Sequence, residues 1–199
     1  MTIPKKKARA GNHLSREVWV QAATRTIAHE GVQAVAVEPL AVALGVTKGS
    51  FYWHFANRDD LIHAALEAWE QDQSLDVVAR YSAIPDPRRR LRVLLFAAFE
   101  DLENGLFFAA LSVSSGDPRV QPFLVRAAER RLALGVAAFQ DLGLDLAEAR
   151  ERALLAYAAY AGYFQLLRTT PGAVTAVTDL SGYVRRLAEA LVPAKGPRL

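Results

Sequence analysis

The sequence contains no cysteine among its 199 residues. This absence excludes disulfide-stabilised scaffolds, zinc sites with thiolate ligands and cysteine nucleophiles, and it is compatible with a reducing compartment such as the cytoplasm, where we expect the protein to act. A long hydrophobic run is also missing, because the longest uncharged stretch, residues 153–167, has only 15 residues and includes three tyrosines. A membrane-spanning helix needs about 20 apolar residues. We therefore expect a buried helix here and no membrane partner.

The motifs of common enzyme classes are missing as well. The sequence has no Gly-x-Ser-x-Gly, no His-Glu-x-x-His, no phosphate-binding loop and no glycine-rich dinucleotide fingerprint. His29 and His63 are isolated, and the serines at 112, 114 and 115 are typical of a loop. We expect no catalytic residue, no metal site and no cofactor. An enzyme with a helical body stays an alternative that no motif supports.

The net positive charge of the chain is concentrated at its N-terminal end. Residues 1–58 contain eight Lys or Arg against three acids, whereas the other 141 residues contain 16 against 18. This asymmetry predicts a polyanion, such as nucleic acid, as a partner of the N-terminal part alone. A solvated basic face with a frayed tail would give the same composition. Residues 1–12 are predicted to be a flexible basic arm, for which a DNA contact, a purification remnant and a role in solubility are all open.

Turn and cap signals divide the chain into helices. No stretch of alternating β-branched residues lies between turn signals, so the fold class is predicted to be all-α. The predicted helix starts are Ser15, Thr47, Asn57, Asp86-Pro87, Asp117-Pro118 and Asp145 with Glu148. The predicted ends are Gly31, Gly45, Thr170-Pro171-Gly172 and Pro193. The first helix should turn its inner face to the core through Val18, Ala22, Ala23 and Ile27, the fourth should reach about Tyr81, and the last should span about 174–191.

Residues 37–55 contain two short helices separated by a turn at Gly45, a pattern typical of a helix-turn-helix whose second helix enters the DNA major groove. Leu40, Leu44, Val46, Phe51 and Phe55 have the spacing of its core. The remaining faces of the second helix combine a cation, hydroxyls, two aromatics and a histidine around a glycine, which suits phosphates and base edges better than bulk water. The predicted DNA-contacting residues are Thr47, Lys48, Gly49, Ser50, Tyr52, Trp53, His54 and Arg58.

The same segment resembles a known signature. Gly45-Val-Thr-Lys-Gly-Ser-Phe-Tyr-Trp-His-Phe55, followed by Asn57-Arg-Asp-Asp-Leu61, is similar to the Gly-Val-Ser-x-Gly-x-Leu-Tyr-x-His-Phe-x-x-Lys-x-x-Leu pattern of TetR-family transcriptional regulators. The resemblance implies about nine helices, with a three-helix DNA-binding domain at 13–58 and a ligand-binding and dimerisation domain at 59–199. It places Thr47, Lys48 and Ser50 at base edges and nearby phosphates. In the same way, it assigns mainly backbone contacts to Tyr52, Trp53, His54 and Arg58.

The sequence departs from the family pattern at three positions. Val37 stands where the family usually has a phosphate-contacting threonine, and Glu38 follows it. We expect the loss of one phosphate contact per subunit, and Glu38 would repel the DNA backbone if it faced it. Arg58 replaces the usual lysine, which keeps the charge but changes its hydrogen-bonding geometry.

The C-terminal part supplies a dimer face in this resemblance. Residues 153–167 are apolar on nearly all sides, with Ala156, Ala159 and Gly162 small enough for another helix to approach. The resemblance pairs this helix and the last helix with their copies in a homodimer, which implies a palindromic DNA operator. A core helix of a monomer is the alternative explanation of the same pattern.

The aromatic residues of the C-terminal part are the candidates for a ligand pocket. The predicted lining residues are Trp69, Phe96, Phe99, Phe107, Phe108, Tyr157, Tyr160 and Phe164. Asn104, Gln165 and the tyrosine hydroxyls would orient the ligand. The resemblance implies a repressor that an effector releases from DNA, and the aromatic content of these residues indicates that this effector is small and largely apolar or aromatic. A DNA-binding protein whose body recruits a protein partner instead of an inducer is the second hypothesis.

Overall fold

The computed structural model describes residues 14–72, 81, 83–177 and 179–192. Within these residues the chain forms ten α-helices and a short 3₁₀ turn (Val32–Ala34), and no β-strand. The helices are α1 (Arg16–Glu30), α2 (Val37–Ala43), α3 (Lys48–Tyr52), α4 (Arg58–Asp72), α5 (Pro87–Glu100), α6 (Leu102–Val113), α7 (Gln121–Gln140), α8 (Leu146–Thr169), α9 (Pro171–Val177) and α10 (Leu180–Leu191). The all-α class is confirmed. The arm at 1–12, Pro193 and most of 73–81 lie outside the described residues.

Helices α1, α2 and α3 form the head of the molecule, which spans residues 14–57. Ala23 and Ile27 of α1 are buried as predicted, whereas Val18 and Ala22 are only half-buried. The largest buried side chain of α1 is that of Trp19, which the predicted inner face did not include. The core of the head is therefore centred about one residue further round α1 than the spacing suggested.

Side-chain caps begin several helices where the sequence predicted them. Backbone N–H groups of the first helical turn donate to Asn57 (3.0 Å), Asp86 (3.1 and 3.3 Å) and Asp145 (2.9 Å). Each bond satisfies a donor that the helix itself leaves without a partner. Ser15 and Thr47 also precede helices, but no N–H group donates to either hydroxyl.

The predicted helix start at Asp117 is wrong. Helix α7 begins at Gln121, and residues 117–120 form a turn in which the Val120 and Gln121 N–H groups both donate to the carbonyl of Asp117. The Asp117 carboxylate accepts the Arg119 N–H at 2.9 Å and the Arg119 guanidinium at 2.6 Å. Because Arg119 occupies both oxygens, the carboxylate caps a turn and an ion pair instead of a helix.

The C-terminal segment forms two helices where the sequence predicted one over 174–191. Helix α8 ends at Thr169 as predicted, and Pro171 then begins the short α9. Asp179 begins α10, where its carboxylate accepts the Gly182 N–H. A second cap-and-start signal therefore divides the predicted helix.

The body, α5–α10, is built around α6 and α8. Helix α6 packs between α1 of the head and α8, and α7 lies along α8. One face of α8 is open, since Leu154, Leu155 and Leu166 each expose more than half of their surface. Residues 153–167 were predicted to be buried on more than one side, and α8 does pack on both α6 and α7, whereas this face stays open within a single chain. Across the described segments, no helix is both long and apolar enough to cross a membrane.

Candidate nucleic-acid interface and body cavity

The turn between α2 and α3 sets the position of the exposed helix of the head. Gly45 has a φ of +67°, the left-handed region that glycine enters without steric cost. The Val46 N–H then donates to the Ala41 carbonyl at 3.0 Å, which closes the end of α2. This short turn brings α3 across α2, as a helix-turn-helix requires.

Two phenylalanines attach α3 to the core of the head. Phe51 and Phe55 are 0% and 2% exposed, and their rings stack with centroids 5.4 Å apart. Trp19 of α1 meets the Phe51 ring edge-on at 5.4 Å. Both phenylalanines were predicted to face inward, and the structure confirms that placement. Edge-on and stacked aromatic pairs of this kind hold a short helix more firmly than area burial alone.

The outer face of α3 and the residues after it expose aromatic side chains to solvent. Tyr52 is 62% exposed and Trp53 is 75% exposed, and Thr47, Lys48 and Gly49 are exposed beside them. Large aromatic rings at such exposure cost hydration free energy, so an isolated surface seldom groups them. Lys48 meets the carboxylate of Glu38 in an ion pair across the turn, a partner that the sequence pattern did not indicate.

Ser50 and His54 differ from their predicted placement on the open flanks of the helix. Ser50 is 6% exposed, and its Oγ atom has no hydrogen-bond partner among the described residues. The prediction that Ser50 lies on an open flank of the helix is therefore wrong, whereas its contact with DNA stays a prediction. The flank placement followed from an ideal helical wheel, whereas α3 has only five residues and ends at Tyr52, not near Phe55. His54 is half-buried, and its Nε2 atom lies 2.7 Å from the Leu14 carbonyl.

Arg58 holds the connector between α1 and α2. Its guanidinium donates to the carbonyls of Val35 (2.5 Å), Val32 (3.1 Å) and Gln33 (3.2 Å). These carbonyls belong to the 3₁₀ turn and to the residue after it, and that of Val32 also accepts the Val35 N–H at 3.4 Å. The planar fork of arginine can reach three such acceptors at once, which a lysine ammonium cannot match geometrically. Sequence reasoning had assigned Arg58 to the DNA backbone.

Helices α5, α6, α7 and α8 enclose a cavity of about 500 Å³ in the body. Its apolar wall consists of Leu91, Leu94, Leu95, Ala97, Ala98, Leu134, Gly135, Ala138, Phe139, Ala153 and Ala156. Of the predicted lining residues, the cavity includes Phe99, Tyr157 and Tyr160. The other predicted residues, Trp69, Phe96, Phe107, Phe108 and Phe164, are not part of its lining. Phe107 and Phe164 instead fill the core at 1% and 0% exposure.

A polar end of the cavity was only partly predicted. Asn104, which was predicted to orient a ligand, lines the cavity together with Asp101, Glu100, Tyr81 and Arg131. Gln165 does not line it and borders a separate open depression on α8. Nothing in the helical spacing of the sequence separates a charged residue at a cavity wall from one in water, so Arg131 was missed.

The Arg131 guanidinium lies against aromatic rings at this polar end. Its Cζ atom is 4.9 Å from the ring centroids of both Phe108 and Tyr160, and Nη2 donates to the Tyr160 hydroxyl at 3.5 Å. Burial raises the pKa of Tyr160 to about 12, because the charged phenolate would lose its hydration, although the nearby Arg131 charge opposes this. Tyr160 is therefore a neutral hydrogen-bonding group at physiological pH.

Two charged clusters join α4, which leaves the head, to the body. The Glu70 carboxylate accepts from Arg126 at 2.7 and 3.0 Å and from Arg130 at 2.6 Å, and these bonds lower the pKa of Glu70. Nearer the head, Arg119 pairs with both Asp59 and Asp117. The Arg119 hydrogen bonds lower the pKa of Asp117 to about 2. Both clusters keep α4 against the body at neutral pH.

Helix α1 is a second link between head and body. The Arg168 guanidinium of α8 donates to the Ala28 carbonyl at 2.5 Å, and His29 lies 3.2 Å from the Glu103 carboxylate of α6. A cation at the end of α1 also complements the partial negative charge of its last carbonyl groups. The C-terminal turn of α1 is thereby attached to α6 and α8, two of the four helices that line the cavity.

The family model of bacterial regulatory proteins, tetR family, matches residues 20–65. The regulator TtgR of Pseudomonas putida is 34% identical over 91 residues, which are 44% of this chain and 42% of TtgR. AcrR of Shigella flexneri is 32% identical over 92 residues, 43% of this chain and 40% of AcrR. The chain thus matches about two fifths of the length of these curated relatives.

Solved structures are similar over most of the chain. A transcriptional regulator from Saccharomonospora viridis, crystallised with choline, has a TM-score of 0.73 at 20% identity and covers 92% of this chain and 98% of its own. A regulator from Rhodococcus sp. Rha1 has a TM-score of 0.72 at 19% identity and covers 94% and 100%. At such low identity the likeness shows a shared fold, with the same helical body behind the helix-turn-helix.

Proposed function

We propose that this chain, whose residues 20–65 match the family model of bacterial regulatory proteins, tetR family, is a DNA-binding transcriptional repressor. As a homodimer it binds a palindromic operator in the cytoplasm, and a small, largely apolar or aromatic ligand releases it. The division into a DNA-binding domain at 13–58 and a ligand-binding and dimerisation domain at 59–199 is part of this proposal.

The observation that carries the proposal is the composition of the exposed face around α3. Tyr52 and Trp53 are mostly exposed beside Lys48, on a helix that buried Phe51 fixes to the core. A rigid helix with solvent-facing aromatic and cationic groups is suited to a major groove. In this function Thr47, Lys48 and Gly49 approach base edges, and the hydroxyl of Tyr52 and the indole of Trp53 contact the DNA backbone.

His54 and Arg58 take part in this function through their protein contacts. His54 meets the Leu14 carbonyl, which fixes the start of the chain that enters α1. Arg58 holds the carbonyls of the α1–α2 connector, so it orients α2 and with it the turn before α3. Both residues therefore position the DNA-binding face, and their own side chains have limited freedom to reach a phosphate.

The body cavity is the proposed effector site. Its volume of about 500 Å³ suits a small molecule, and its wall is mostly apolar with hydrogen-bonding groups at one end. An effector of this kind would place its apolar part among the α5 and α7 leucines and a polar group near Asn104, Tyr157 or Tyr160. The Saccharomonospora viridis regulator, which shares this fold, was crystallised in complex with choline, and this supports a small-molecule ligand for the present chain.

Asn104 offers a route from the cavity to α4. Its Oδ1 atom accepts the Trp69 indole N–H at 2.8 Å, and the Trp69 ring stacks on Phe107 at 5.3 Å. A ligand that engages Asn104 would compete for this bond. It would then favour a different position of α4, and the spacing of the two heads would no longer match successive major grooves.

The open face of α8 is the proposed dimer surface, together with α10. Leu155 and Leu166 lie on the same side of α8 as Gly162, where, among the described residues, no atom beyond the neighbouring backbone of α8 lies within 4 Å of the position that a Cβ would take. An apolar stripe with a central glycine allows a second helix to approach closely. The exposed positions of α10 include Arg185, Arg186 and Glu189, so it would contribute a polar rim to this interface.

The DNA-binding half of the proposal is tested by selection and titration. An operator is first enriched from random duplexes, and fluorescence anisotropy then measures its affinity for the wild type and for Lys48→Ala combined with Tyr52→Ala. We expect the double variant to lose roughly 1,000-fold or more in affinity, since it removes two contacts per subunit and therefore four from the dimer, and each contributes about 1–3 kcal/mol. Arg92→Ala, which removes an exposed cation from α5, is the matched control and should bind like the wild type. An unchanged affinity of the double variant would contradict the proposal.

A further inference from the structure

We propose that Glu38 is a specificity-determining residue, which suppresses non-specific DNA binding by neutralising Lys48. The inference rests on the proposed DNA-binding function and goes beyond it. An acid at the DNA-facing side of the head would be expected only to lower the affinity for DNA, because it repels phosphates. The contact between Glu38 and Lys48 indicates that the acid instead controls which DNA sequences Lys48 binds favourably.

The geometry places both charges at the centre of the proposed interface. Glu38 belongs to the first turn of α2, and Lys48 is the first residue of α3. Their side chains are 69% and 54% exposed, and the Glu38 Oε1 atom meets the Lys48 Nζ atom across the turn. Lys48 neighbours Gly49 and lies one turn before Tyr52. The pair therefore faces solvent on the side from which a duplex would approach.

On an unrelated duplex the Glu38–Lys48 pair contributes little to the binding free energy. An exposed ion pair is weak, so a phosphate can displace Glu38 from Lys48. The displaced carboxylate then remains beside a polyanion, and the attraction between Lys48 and the phosphate is offset by the repulsion of Glu38. Without the acid, Lys48 would contribute one full phosphate contact per subunit at every DNA sequence.

At a suitable base pair both groups can be satisfied together. Lysine donates to the O6 and N7 acceptors of guanine, and a carboxylate accepts from the N4 amino group of cytosine. A G·C pair presents both groups side by side in the major groove, so the Glu38–Lys48 pair can exchange its own contact for two contacts with the DNA. Binding to the operator therefore replaces the Glu38–Lys48 contact with two base contacts, whereas binding to unrelated DNA does not.

The test compares Glu38→Gln with Glu30→Gln, a charge-matched control at the exposed C-terminal end of α1. Affinities for the selected operator and for an unrelated duplex of equal length are measured by anisotropy over a range of KCl concentrations. For Glu38→Gln we expect roughly tenfold tighter binding to the unrelated duplex for each subunit at about 0.1 M salt, with a salt slope steeper by about one per subunit. The operator should gain less, so the ratio of the two affinities should fall.

Further variants separate the inference from the function on which it rests. In a Lys48→Gln background, Glu38→Gln should have only the effect of Glu30→Gln, because the cation that it releases is gone. Circular dichroism checks that each variant folds, which is expected since both side chains are exposed. Equal effects of Glu38→Gln and Glu30→Gln, or an unchanged affinity ratio, would overturn the inference alone. If the wild type enriches no sequence from random DNA, the proposed function itself falls and the inference falls with it.

Discussion

Gly105 is the residue in α6 whose side-chain size matters most for the body. A Cβ at this position would lie 2.1–2.3 Å from ring atoms of Phe164 on α8. That ring is fully buried, stacks on Phe99 with the centroids 6.0 Å apart and lies tilted against Tyr160 at 4.9 Å, so it has no free space into which to move. The absence of a side chain at Gly105 therefore sets how closely α6 approaches α8.

We predict that Gly105→Ala destabilises the protein by about 1–3 kcal/mol, because overpacking forces buried rings out of their rotamers. The free energy of unfolding is measured by urea titration with circular dichroism. Gly172→Ala is the control, since it adds the same methyl group to an exposed helical position with no atom within 4 Å. It should be neutral or stabilise by up to about 1 kcal/mol. Equal stability of the two variants would refute the packing argument.

Residue placement was predictable from the sequence only where burial alone decides it. Phe51 and Phe55 face inward because large apolar rings at helical spacing leave few other solutions. The burial of Ser50 and the hydrogen bonds of Arg58 were not predicted, because they depend on where a short helix ends and on carbonyls from a distant connector. Such contacts are tertiary, and no local pattern encodes them. The ion pair of Glu38 with Lys48 crosses a turn and was hidden for the same reason.

At the scale of elements, helix boundaries were predictable where one side chain closes them. Asn57, Asp86 and Asp145 each accept N–H groups from the turn that follows, so a local rule is sufficient. Asp117 has the same local signal, but Arg119 takes its carboxylate. The position of the cavity could not be predicted from the sequence, because it depends on how the helices pack. Periodicity identifies the apolar face of each helix, but not which part of that face meets another helix and which part meets a void.

Ala156 of α8 provides a test of the cavity formed by helices α5 to α8. We predict that Ala156→Phe prevents ligand binding, because its ring would occupy part of the cavity of about 500 Å³ that Ala156 lines. A panel of small apolar and aromatic compounds is screened for those that raise the melting temperature of the wild type, as ligands of the native state do. These compounds should leave the melting temperature of Ala156→Phe unchanged.

The control for this experiment is Ala147→Phe, at an exposed position on the same helix. This variant should respond to the compounds like the wild type. If the compounds stabilise Ala156→Phe as well, they bind elsewhere, and the cavity is not the effector site. If no compound stabilises the wild type, the ligand half of the proposed function loses its support, whereas the DNA-binding half does not depend on it.

At the scale of the whole molecule, charge and apolar surface lie in different places. The N-terminal 58 residues have a net positive charge, with eight Lys or Arg against three acids, whereas the most exposed leucines of the body lie on α8. A repressor that reads a palindrome needs both properties in one assembly, because the body must hold two heads at a fixed separation. The proposed dimer surface is therefore a condition for the proposed DNA recognition and can be tested without DNA.

We predict that Leu155→Glu converts a dimer into a monomer, because a dimer would bury this side chain, now 58% exposed, and a buried carboxylate without a partner is costly. Light scattering after size-exclusion chromatography should give twice the chain mass of 21.8 kDa for the wild type and the single mass for the variant. Leu146→Glu is the matched control, because Leu146 is 45% exposed at the start of α8 and lies on roughly the opposite side of the helix from Leu155. This control should stay dimeric. A monomeric wild type, or a dimeric Leu155→Glu, would exclude α8 as the dimer surface. The monomeric variant should also bind a half-site of the operator far more weakly than the dimer binds the whole palindrome, since the second head no longer benefits from the attachment of the first.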